Sequence, residues 1–367
     1  MQHDPDVPDL THDKNDWLLA LILDEIRKSK KVSDPASLDK VAQGIAQTTA
    51  NLYAELILKY LESNLEHIVD KRRIDARHFE ERLLQRWKKP IDLLEVFIQM
   101  CYEAGKEFNN EYRSTAAKTH DYVFDVLTKL HARGCQISYE ILSLLKAGLA
   151  DGAYARWRTL HEIAAIAYFI EVQGQEVAKR YLKYETVETY RESLEYQEHC
   201  RELGYEPPTE KELVATKARY NDVLKTYGTD FGKPYGWIPE SALKRRTFAQ
   251  IEKAVRLDKL RPYYLMACHN VHSGPKGIKF RLGLLKGGPQ ESMLLAGPSN
   301  YGLADPGQAA TISLNQITTC LLSTRTTLER LSIMKAMQKL VEQINPAFAE
   351  VQLQMEKEED SRNGDYS

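Results

Sequence analysis

A chain of 367 residues with 50 basic and 52 acidic side chains, net charge -2, has no global field to draw nucleic acid to its surface, so any RNA contact must be local. Its 43% hydrophobic and 28% charged residues are those of a globular protein, and 19 Gly with 14 Pro are too few for a turn-rich β sandwich. The five cysteines, Cys101, Cys135, Cys200, Cys268 and Cys320, form no CxxC pair, which sets aside a zinc ribbon and fits a reducing, cytoplasmic setting.

The N-terminal stretch MQHDPDVPDLTHDKND is acidic and polar, unlike a secretory signal, and residues 1–13 read as a polar tail. No run reaches the roughly 18 uninterrupted apolar residues of a membrane span. Trp17, Leu18, Leu21 and Ile26 begin a helix, and Leu52, Leu56, Ile57, Tyr60, Leu61, Leu65 and Ile68 recur at helical spacing. Residues 14–105 are therefore read as an N-terminal helical module. Pro90 restarts a helix after the basic run Arg86 to Lys89, because proline is tolerated in a first turn.

A helical core domain is expected over 106–345, opening with helices at 106–132, 136–147 and 151–173. Gly134 and Gly148 mark their breaks, and Asp151 is a candidate N-cap. Residues 176–227 look helical, with Pro207, Pro208 and Thr209 as a joint, and helices near 240–256 and 258–272 follow a loop from Gly228 to Pro239. The only strand-like stretch is 279–297, a possible hairpin around KGGPQ. Asp305 and Pro306 open a long helix to about 344, which Pro346 ends, and 346–367 is a polar C-terminal tail. The fold class is all-α: a multi-helix bundle with at most one small hairpin.

The helix from Asp151 to Ile170 is apolar around most of its circumference, as a buried helix is. Arg158, His161 and Glu162 interrupt it at i, i+3 and i+4 on one arc. A structural reading makes Glu162 the ion-pair partner of a buried Arg158, so that Glu162→Ala would cost about 3 to 5 kcal/mol. A functional reading makes the arc a polar active-site stripe. Arg156 and His161 also fit the R-x4-H spacing of HEPN ribonucleases, although Arg72, Arg73 and Arg113 stand at allowed spacings from His78 or His120. The burial of the 151–170 helix selects Arg156 and His161 among these. In a continuous helix those two lie about 140° apart, so Arg158 faces His161 better.

A second constellation is Cys268-His269-Asn270-Val271-His272-Ser273-Gly274-Pro275, at a helix end closed by Gly274 and Pro275. Its two histidines share a face, but no third ligand stands nearby, so no metal and no other cofactor is expected. His269, Asn270 and His272 are candidates to complete a site with Arg158 and His161, and the two helices should pack together because buried polar groups persist only when they satisfy one another.

These residues carry a resemblance. Residues 130–133, 141–153 and 157–162, with Asn270-Val271-His272-Ser273-Gly274-Pro275, resemble an uncharacterised bacterial all-helical domain family. Its pattern is a gly-x-x-x-ala helix start, then arg-x-x-x-glu, then asn-x-his-x-x-pro. The resemblance spans roughly 106–340 and implies a helical bundle, HEPN-like by analogy of fold and of Arg-His usage. It departs from HEPN in having Trp157 directly after Arg156, where many HEPN motifs carry a polar residue.

Two functions follow as expectations. One is a metal-independent, HEPN-like endoribonuclease, a homodimeric defence or toxin effector, in which Arg158 or Arg156 holds the scissile phosphate. His161 would move the 2'-hydroxyl proton, and His272 or His269 would protonate the leaving oxygen. The other is a non-catalytic helical sensor or scaffold of a defence complex, binding a partner protein through its N-terminal helices. Whether Arg158, His161, His269 and His272 converge on an open pocket discriminates between them.

Overall fold

The computed structural model describes residues 35–279, 281–284 and 294–364. Among these residues there are ten α-helices and no strand. They are α1 (Pro35–Thr119), α2 (Tyr122–Lys146), α3 (Ala150–Gln173), α4 (Gln175–His199), α5 (Glu210–Tyr227), α6 (Phe248–Ala254), α7 (Arg261–Cys268), α8 (Pro275–Lys279), α9 (Ala304–Ser323) and α10 (Leu328–Gly364). Most of the expected hairpin, the expected tail over 1–13 and the helix begun at Trp17 lie outside the described residues.

The chain divides into two compact units, Met1–His78 and Phe79–Ser367. The described part of the first is helical, and its Leu56, Ile57, Leu58, Leu61, Leu65 and Ile74 are exposed. In the second, α3 is the hub: it packs on α2 and α9, and more lightly on α4, α6 and α7. Ala153, Trp157, Leu160, Ala164, Ala167 and Ile170 are all buried, as the all-round apolar pattern requires. No described helix is long and apolar enough to cross a membrane.

Several helix ends differ from the sequence expectation, each for a tertiary reason. The break before α2 falls at 120–121 and not at Gly134. His120 takes a left-handed φ of 52°, and Asp121 caps α2 by accepting from the Phe124 N–H at 3.0 Å. Gly134 stays helical because α9 passes close to it: a Cβ there would stand 3.1 Å from Ile317 Cδ1. Gly148 does break the chain, with φ 73°, a conformation glycine adopts without strain. Asp151 is in the first turn of α3 and not its N-cap, which is Leu149; its Oδ1 accepts from the Leu282 N–H at 3.0 Å.

Pro90 lies inside α1 and does not restart it. An interior proline costs about 3 kcal/mol, but Leu83, Trp87, Ile91, Leu94 and Phe97 on the same helix are buried, and that burial offsets the cost. Pro346 is likewise inside α10, between buried Ile344 and buried Ala347 and Phe348, so residues beyond it are helical to Gly364. The long helix expected from 305 to 344 is two helices, α9 and α10. The turn between them has neither Gly nor Pro. It is held by Arg330, which is 8% exposed and donates to the Arg325 carbonyl at 2.6 Å, to Tyr112 Oη at 2.9 Å and to Glu111.

The joint at 207–209 is confirmed. Thr209 and Glu212 form a reciprocal capping box at the start of α5.

Candidate functional site

The polar arc of α3 meets α6 and α7. His161 and Glu252 are both wholly buried, with His161 Nε2 2.9 Å from Glu252 Oε1. Arg261, at the first position of α7, pairs with the other carboxylate oxygen of Glu252. Trp157, Phe248 and Tyr264 surround the imidazole with ring centroids at 5.5, 6.0 and 5.8 Å. The opposite ring nitrogen, Nδ1, is buried without a hydrogen-bond partner.

Beside it stands a three-membered network. Arg158 pairs with Glu162 at 3.2 Å and donates from Nε to Tyr264 Oη at 3.0 Å, while that hydroxyl donates to Glu162 Oε1 at 2.6 Å. The side chains of Arg158 and Glu162 are 27% and 31% exposed, so the arginine is not the deeply buried charge the sequence implied. Burial pushes the Tyr264 phenol far above its ordinary range, and its bond to the Glu162 carboxylate adds to the rise. Burial would lower the Arg158 pKa, but the bond to Tyr264 and the charge of Glu162 outweigh it and raise the value. Tyr235 is raised as well, by burial and then by the charge of Glu162. Burial also raises the Cys268 thiol.

The structure thus joins Arg158 to Glu162 and places His161 next to them, linked by the Tyr264 ring. Arg156 points elsewhere and pairs with Glu140 on α2, as the 140° separation implies. The expected packing of α3 on the helix before Asn270 is present, but Tyr264 makes the polar contact. Helix α7 ends at Cys268, and His269, Asn270 and His272 follow it in a turn. His272 is exposed, and no hydrogen bond or ring contact links His269 or His272 to Arg158 or His161. The side-chain nitrogen and oxygen of Asn270 are buried without partners. The turn is compact: His272 N–H donates to the Cys268 carbonyl at 3.0 Å, and a Cβ on Gly277 would meet the His269 carbonyl oxygen at 2.3 Å.

Sequence reasoning missed Glu252, Arg261 and Tyr264. Glu252 follows the apolar pair Phe248 and Ile251 on a short helix, where nothing local marks a carboxylate as buried. Among the described residues, one group of metal-ligating types converges, Glu195, Glu198 and His199, all exposed at the end of α4.

An all-helical domain with a partly buried Arg-Glu-Tyr network is the class that fold and site define. Residues 124–289 match a family of unknown function (DUF5677), consistent with the uncharacterised helical domain family that the motifs resemble. The matched segment runs from within α2 past α8 and contains every residue of both networks. No curated protein and no solved structure matches the chain.

Proposed function

We propose that this protein is a non-catalytic helical scaffold or sensor, and that the networks on α3 hold α6 and α7 in register. The observation that carries this reading is the burial of His161. A general base must come within hydrogen-bond reach of the proton it moves. Yet His161 has no exposed surface, and its Nε2 is already engaged by Glu252. A partner protein would bind residues 35–78, where Leu56, Ile57, Leu61 and Leu65 are exposed together.

One observation favours the second reading, a metal-independent endoribonuclease of a toxin or defence system. Arg158 and Arg261, 27% and 35% exposed, flank the Tyr264 ring at 5.2 and 5.9 Å, as two phosphate-holding guanidiniums would. The test is incubation of full-length protein with end-labelled single-stranded RNA in EDTA, alongside Arg158→Gln. The scaffold reading expects no products with 2',3'-cyclic phosphate ends. Cleavage by the wild type that Arg158→Gln removes would overturn it.

A further inference from the structure

A groove of about 510 Å³ lies between α1 and α2, and none of the network residues lines it. Its floor is Gly105, His131 and Cys135. Gly105 makes that floor possible, since a Cβ there would stand 2.1 Å from His131 Cε1. The floor brings no charge. His131 is 4% exposed with Nε2 3.1 Å from Thr318 Oγ1, and burial holds it neutral with a pKa lowered to about 4. Burial pushes the Cys135 thiol up to about 12. The walls combine Ala132 and the half-exposed rings of Tyr102 and Tyr139 with the polar side chains of Asn109, Thr128 and Gln136.

The rim is basic. Arg113 and Lys129 both bind Asp125, at 2.8 and 2.7 Å, so their charges are partly spent. Lys106 has no ion-pair partner among the described residues, and with Arg113 and Lys129 sharing the one Asp125 carboxylate the rim carries two surplus positive charges. A groove of this size, with an exposed lining that is mostly apolar and bordered by polar side chains, suits a small amphipathic organic ligand. The surplus positive charge selects an anion over a neutral or cationic one.

We propose that this groove binds a small amphipathic organic anion, its apolar body against Tyr102, Ala132, Cys135 and Tyr139 and its anionic head on Lys106. The probes are 8-anilinonaphthalene-1-sulfonate, read by fluorescence on the full chain, and dodecanoate as competitor. Saturable binding is expected in the wild type, displaced by dodecanoate and not by dodecanol. Ala132→Trp, at an exposed wall position, should abolish it by filling the groove. Lys106→Gln should weaken it about tenfold, corresponding to about 1.4 kcal/mol, while Lys253→Gln, on α6, should leave it unchanged. Thermal melts of each variant exclude dye binding to unfolded chain, and if Ala132→Trp fails to fold, Lys106→Gln decides alone. No saturable binding, equal effects of Lys106→Gln and Lys253→Gln, or a dye that dodecanoate fails to displace would overturn the proposal; the last outcome would leave the groove to a protein partner.

Discussion

Two histidines, His161 on α3 and His131 on α2, are buried to nearly the same depth, at 0% and 4% exposure, in opposite electrostatic settings. His161 lies against the Glu252 carboxylate, itself held by Arg261. His131 has only a threonine hydroxyl and a thiol for company. Depth alone therefore does not define a site. The partner decides whether a buried imidazole belongs to a charged network that must stay intact or to a neutral floor over which something can bind.

The largest effect expected from this contrast is at Glu252. Glu252→Ala leaves His161 and Arg261 without their carboxylate, and breaking such a buried network should cost about 3 to 5 kcal/mol in urea unfolding. A loss under about 1 kcal/mol would show that the network does not hold α3, α6 and α7 together.

His131 should reveal itself through pH. Its folded pKa, lowered to about 4, lies below the ordinary 6.5, so the unfolded chain binds the proton more readily between those values. The stabilising contribution is complete above pH 6.5 and is lost as pH falls toward 4, of order 3 kcal/mol in all. His131→Asn should flatten that part of the stability profile. An unchanged slope would place the titration elsewhere.

Gly105→Ala comes next. Its Cβ must displace the His131 ring, and overpacking of this kind costs about 1 to 3 kcal/mol. A neutral result in thermal unfolding would mean that the floor of the groove yields easily.

Smallest is Glu162→Gln. The sequence-based expectation of about 3 to 5 kcal/mol at this position assumed a buried pair. With Arg158 and Glu162 each more than a quarter exposed, solvent screening reduces the ion pair to about 1 kcal/mol or less, and glutamine retains an acceptor for Tyr264. A larger loss by chemical denaturation would show that this pair is as structural as the one at Glu252.

Much of the molecule can be read in its sequence, because helix periodicity, caps and turn residues act over three or four neighbours. That range covers the buried character of α3, the polar arc of Arg158, His161 and Glu162, the joint at 207–209 and the Gly148 break. Tertiary packing alone decided the rest. Pro90 and Pro346 remain helical because the faces around them are buried, and Gly134 serves the approach of Ile317 instead of ending a helix. Glu252 and Tyr264 come from 91 and 102 residues beyond the side chains they bond, His161 and Glu162. No local pattern specifies such pairings, since a side chain's partner is set by which surfaces are brought together when the helices bury their apolar faces. The groove over His131 has the same origin: Gly105, Ala132 and Lys106 look ordinary one by one, and only the packing of α1 on α2 makes them a floor, a wall and a charge.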